Sequence, residues 1–140
     1  METWFHPKFP FKSDVTGLTS QEVADRFQAE NNMQWTQPVC FFGQFEVWTD
    51  ILKRATDPMD KNAIIAATKQ TKLMTVGGLV DWSVNPEPYS GWWNFSRKPI
   101  CGGQWVKGKG SHKYDLEIVC NDTDPDIPTT AEMTEIPYDA

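Results

Sequence analysis

The chain has 140 residues, of which 39% are hydrophobic and 23% charged, and it carries a formal net charge of −6. These values fit one ordinary globular domain and exclude disordered, collagen-like and fibrous classes. An acidic chain without a basic stripe is a poor nucleic-acid binder, because neutralising phosphate takes clustered Lys and Arg. No run of about 18 apolar residues occurs, so no membrane-spanning helix is predicted. Residues 1–10 lack the basic-then-apolar order of a signal peptide. The three cysteines, Cys40, Cys101 and Cys120, are too few and too far apart for a disulfide scaffold. Cys101 can pair with Cys120, but the odd count favours buried thiols. Seven tryptophans and eight phenylalanines make aromatic surface the main chemical asset of the chain.

In chain order, the opening Glu2-Thr3-Trp4-Phe5-His6-Pro7-Lys8-Phe9-Pro10 reads as extended or loop structure, since its prolines disfavour helix. Thr19 with Glu22 forms a capping-box pattern. Val23, Ala24 and Phe27 follow at helical spacing, and Asn31-Asn32 ends the run. A second helix is predicted from Phe41, Phe42, Phe45, Trp48, Ile51, Leu52 and Ala55, an apolar stripe expected to face inward, with Lys53 and Arg54 where cations suit the helix dipole. A third helix is predicted to start at Asp57-Pro58-Met59-Asp60, with Asp57 as cap and Pro58 at the first helical position, and with Ala63, Ile64 and Ala67 inside.

After Thr71 the period changes. Thr75-Val76-Gly77-Gly78-Leu79-Val80 reads as a strand broken by glycines, and residues 85–91 as a Pro/Gly/Tyr loop. Residues 100–107 and the alternating Tyr114, Leu116, Ile118 and Cys120 predict two strands joined around Lys107-Gly108-Lys109-Gly110-Ser111 as a hairpin. Residues 122–140 are expected to be extended. The class is therefore α/β: three amphipathic helices, then a mixed sheet with a C-terminal hairpin, too few strands to cover the helical stripes.

Trp4-Phe5-His6-Pro7 with Pro10-Phe11-Lys12-Ser13, Gln44-Phe45-Glu46-Val47, Asp60-Lys61-Asn62-Ala63, residues 75–82, Gly102-Gly103-Gln104-Trp105-Val106-Lys107-Gly108 and Asn121 with Asp126-Ile127-Pro128 form an ordered series. In order and spacing it resembles the C-terminal portion of type I periplasmic solute-binding proteins, the branched-chain amino acid and amide family of ABC importers. The resemblance spans nearly all of the chain. It implies a partial type I periplasmic-binding-protein fold, in which two α/β lobes joined by three crossovers close on a small ligand. On that pattern residues 1–10 lead from lobe two into a crossover, 11–76 finish lobe one, and 77–140 form the C-terminal part of lobe two. The N-terminal lobe strands, and the Ser/Thr segment that holds an amino acid's carboxylate and amine, have no counterpart here. The chain is therefore expected to be a fragment of the two-lobe protein. The resemblance further implies a periplasmic location, a small-molecule ligand, an ABC membrane permease as partner, and no catalysis.

The candidate ligand-binding residues are Trp4, Phe5 and His6 beside the crossover, and Phe41, Phe42 and Gly43 at the start of the second helix. There an aromatic wall stacks on an apolar ligand and free N–H groups meet an anion. Each has a plain packing alternative, which is preferred for Phe45 and left open for Phe41 and Phe42. No catalytic residue, cofactor or metal site is proposed. His6 and His112 are the only histidines, and no cysteine pair has zinc spacing. Residues 103–109 spell G-x-x-x-x-G-K, but Gly110 replaces the hydroxyl residue and a strand follows where a phosphate loop has a helix. A different class of function is an aromatic-rich carbohydrate- or protein-binding module, with Trp82, Trp92 and Trp93 as the platform.

Overall fold

A computed structural model of the chain describes residues 1–84 and 95–135. The readings made above for Trp92, Trp93, the 85–91 loop and residues 136–140 lie outside the described residues. The first helix, α1 (Ser20–Asn31), begins where the capping box places it. Glu22 N donates to Thr19 Oγ1 at 3.2 Å, and Thr19 N donates back to Glu22 Oε2 at 2.8 Å. Asn32 ends it at φ 50°, a left-handed cap that asparagine tolerates. A 3₁₀ turn over Gln37–Phe41 leads directly into α2 (Phe42–Arg54).

The third helix, α3 (Lys61–Lys69), starts later than its sequence signals suggest. Asp57 spends its carboxylate on Met59 N at 2.8 Å, closing a separate turn. Asp60 therefore becomes the cap, accepting from Asn62 N at 2.9 Å, and Pro58 lies outside the helix.

The strands are β1 (Glu2–Thr3), β2 (Lys72–Thr75), β3 (Gly78–Asp81), β4 (Cys101–Lys107) and β5 (Tyr114–Cys120). They form two sheets, ordered β1-β4-β5 and β2-β3. Every pairing among the described residues is antiparallel, so the expected mixed sheet is not found. The reason is connection length: β2 reaches β3 by a tight turn at 76–77 and β4 reaches β5 by the short loop 108–113, whereas a parallel pair needs a crossover of about a dozen residues. What reads in sequence as one strand broken by glycines is the β2–β3 hairpin, with Gly78 at φ 102°. The G-x-x-x-x-G-K segment lies in β4 and its turn. There Gly108 N donates to Lys113 O and Lys109 N to Asp115 Oδ2, both at 3.0 Å, and β5 follows.

Gly103 is where β1 presses on the sheet. A Cβ there would sit 2.1 Å from Thr3 Oγ1 and 3.0 Å from Leu116 Cδ1. Gly103→Ala should therefore destabilise the chain by about 1–3 kcal/mol, the usual cost of overpacking, read as a lowered urea midpoint. An unchanged midpoint would mean that β1 does not pack on β4 as described.

Three apolar clusters hold the domain. Phe5, Val23, Ala24, Trp35, Val39, Val76 and Leu116 join residues from the opening segment, α1, the β2–β3 turn and β5. Val47, Ile51, Ala67, Leu73 and Val80 join α2, α3 and the β2–β3 hairpin. Phe9, Cys101, Ile118 and Ile127 seal the β4–β5 face. Arg54 locks the second cluster: its guanidinium donates to Asp50 Oδ2 at 2.6 and 2.8 Å, to Ala67 O at 2.8 Å and to Thr71 Oγ1 at 2.9 Å.

The inward face of α2 differs from the expected stripe. Gly43, Glu46, Val47 and Ile51 are buried, while Phe41, Phe45, Trp48 and Leu52 are exposed. The cysteines are all free, but only Cys101 is buried; Cys40 is half-buried and Cys120 exposed.

Candidate functional site

Glycine at position 43 lets α2 start against the β2–β3 hairpin, because a Cβ there would stand 3.3 Å from Thr75 Oγ1. That close approach leaves a cleft of about 640 Å³ bounded by the 3₁₀ turn, α2, the hairpin and residues 95–100. Its walls are mainly apolar, with Trp4, Phe41, Trp48 and Trp82 among them. Its polar groups are few, chiefly Thr75, Ser96 and Lys98. Such a composition, a mostly apolar concavity with a few placed polar groups, is that of a small-molecule site.

Trp4 reaches the cleft from the opening segment because Gln37 clasps that segment. Gln37 Oε1 accepts from Trp4 N at 2.7 Å and from Phe5 N at 3.1 Å, and its Nε2 donates to Phe5 O at 3.1 Å. Residues 33 positions apart are thereby held together, so Trp4 and Phe41 share one wall.

Of the six residues picked from sequence, Trp4, Phe41 and Gly43 line this cleft. The other three sit elsewhere. Phe5 has no exposed surface and packs edge-on to Trp35, ring centroids 5.9 Å apart. Phe42 is packed against the same core cluster and borders a second groove of about 460 Å³. His6 is buried, with Nε2 donating to Leu116 O at 2.9 Å and Nδ1 accepting from Lys8 N at 3.0 Å. Both ring nitrogens are thus used, in the neutral tautomer. Burial lowers its pKa against the opposing pull of the Leu116 carbonyl and Glu117, so His6 is an uncharged cross-tie between the opening segment and β5.

Sequence reasoning passed over the polar floor. Glu46 is buried on α2, where Oε1 accepts from Thr16 Oγ1 at 3.2 Å and Oε2 from Val76 N at 3.1 Å. Thr75 Oγ1 donates to Gly78 O at 2.7 Å. Lys98 Nζ donates to Gly78 O at 2.8 Å and to Thr75 Oγ1 at 3.2 Å. Burial depresses the Lys98 pKa to about 8, with Glu46 pulling the other way. Cys40, also on the cleft wall, has its thiol pushed up by burial, which keeps it protonated and weakly nucleophilic. Among the described residues no group of three or more His, Cys, Asp or Glu is placed to hold a metal ion, and no helix is long and apolar enough to cross a membrane.

No protein-family model, curated protein or solved structure matches this chain.

Proposed function

We propose that the chain captures a small ligand with an apolar or aromatic body in the cleft beside α2, as a solute-binding module that serves an ABC importer in the periplasm. The observation that carries the ligand-binding part is the convergence of Trp4, Phe41, Trp48 and Trp82 on one concavity with only a few polar groups. The importer, its permease and the periplasmic setting rest on the resemblance of the ordered sequence segments.

Calorimetric titration with amino acids, amides and small aromatic acids tests the binding. Trp4→Ala and Phe41→Ala should each weaken the ligand that binds by about 1–3 kcal/mol, the scale of a lost aromatic anchor, with the fold checked by thermal melting. Unchanged affinity in both variants would remove the cleft from consideration. Transport is tested separately, by asking whether the chain, joined to a complementary lobe, supports uptake through a permease.

The second reading, a protein-binding module, is favoured by one observation. Phe45 and Trp48 on α2 remain 71% and 55% exposed, an unusual outlay of aromatic surface to water.

A further inference from the structure

Lys98 is the only cation on the cleft wall among the described residues, and its placement is specific. Its Nζ sits over the β2–β3 turn, donating to two neutral oxygens, Gly78 O and Thr75 Oγ1. An ammonium has three N–H donors, so one is left for a group in the cleft. No carboxylate among the described residues stands within ion-pair distance of it. Glu46 is the charge that acts on it, yet both Glu46 oxygens are engaged, by Thr16 and by the Val76 backbone.

A largely buried cation whose direct partners are neutral oxygens is expensive, because the Glu46 charge offsets its desolvation only in part. The lowered pKa, about 8, expresses that cost. At neutral pH the group nevertheless stays mostly protonated, in a low-dielectric site where an added anion interacts strongly. One cation with one spare N–H suits a single negative charge. A phosphate, which carries more charge and more acceptors, fits a cluster of donors better. The aromatic walls of the same cleft then take the rest of the ligand.

We infer that Lys98 is the anion-pairing residue of this cleft, and that the preferred ligands are small monocarboxylates with an apolar or aromatic body. The inference rests on the cleft being the ligand site. Cys40 is the other titratable side chain on the cleft wall and Glu46 lies beneath it among the described residues. Burial raises the Cys40 pKa, so its thiol holds its proton more tightly than a free cysteine does.

The test pairs 3-phenylpropanoate with its neutral amide, 3-phenylpropanamide, in calorimetric titrations of the full chain. The wild type should bind the carboxylate at least about 10-fold more tightly, the effect of one charge-assisted hydrogen bond. That preference should fade as pH rises from 7 to 9 and the Lys98 ammonium loses its proton. In Lys98→Met the ratio of the two affinities should fall to about one, and Lys98→Arg should restore part of it by keeping the charge. Thermal melts confirm that both variants fold. Equal binding of the two probes by the wild type, or a preference that survives in Lys98→Met, overturns the role of Lys98 while the cleft remains a ligand site. Binding of neither probe overturns both. A covalent adduct of Lys98 with the aldehyde 3-phenylpropanal, trapped by cyanoborohydride and seen by mass, combined with no carboxylate preference, would show a reactive amine in place of an anion anchor.

Discussion

Phe5→Ala should cost about 3–5 kcal/mol of folding stability, the range for emptying a buried phenylalanine site. Phe5 has no exposed surface, and its ring meets Trp35 at 5.9 Å and Phe9 at 6.4 Å. It sits in the cluster that ties the opening segment to α1, the β2–β3 turn and β5. The backbone at this position is held independently, through the Gln37 amide. Alanine would therefore stay in place and leave a cavity, since a pinned segment cannot collapse into the space. Urea unfolding followed by tryptophan fluorescence measures the loss. Phe5→Leu should lose less, because it refills part of the volume. The same pair separates packing from ligand contact: a destabilised variant that still binds in the cleft fits a core residue, whereas full stability with lost binding would place the ring in the site.

Local signals explain why part of this fold was legible in the sequence. The Thr19–Glu22 capping box acts within one turn, so α1 starts at the predicted residue. The alternation of Leu116 and Ile118 with polar neighbours needs no distant partner, and β5 is found there. The β4–β5 hairpin follows from its glycine-rich turn. By contrast, the apolar stripe of α2 is broader than the face that is buried, so periodicity alone cannot choose its inner face. The choice is made by a nonlocal requirement. Val76 N–H in the β2–β3 turn needs an acceptor, and Glu46 supplies it. Burying Glu46 with Gly43, Val47 and Ile51 turns Phe45 and Trp48 outward. β1 is only two residues long, and it exists because Met1 and Gly103 exchange hydrogen bonds at 2.7 Å, 102 positions apart.

The candidate site divides in the same way. Trp4 and Phe41 were recognisable as aromatic residues at a segment end and a helix start, and the Gln37 clasp brings them together. Phe5 and His6 follow Trp4 in sequence, but alternation from Trp4 turns Phe5 into the core against Trp35, and the hydrogen bond to Leu116 O with the Trp35 contact turns His6 in after it. Lys98 carried no sequence signal. Its acceptors are a backbone carbonyl 20 residues away and a threonine hydroxyl 23 residues away, and neither contact leaves a pattern in the surrounding residues.

The isolated chain should self-associate through α2. Phe41, Phe45, Trp48 and Leu52 are 49%, 71%, 55% and 43% exposed, and they fall at i, i+4, i+7 and i+11, on one side of the helix. Each such side chain is worth about 1.5–3 kcal/mol when fully removed from water, so even partial burial of four on each copy yields a substantial drive. Net charge opposes association only weakly at physiological salt, where exposed charges are screened beyond roughly 8 Å. Phe45 and Leu52 lie on this face but not on the wall of the cleft. The double variant Phe45→Glu/Leu52→Glu therefore separates association from ligand capture. Analytical ultracentrifugation should show the wild type associating at micromolar concentrations, and the double variant associating at least about 10-fold more weakly, which corresponds to roughly 1.4 kcal/mol. A wild type that stays monodisperse and monomeric at high concentration, with unfolding as steep as its size predicts, would mean that this face is tolerated in water and needs no cover.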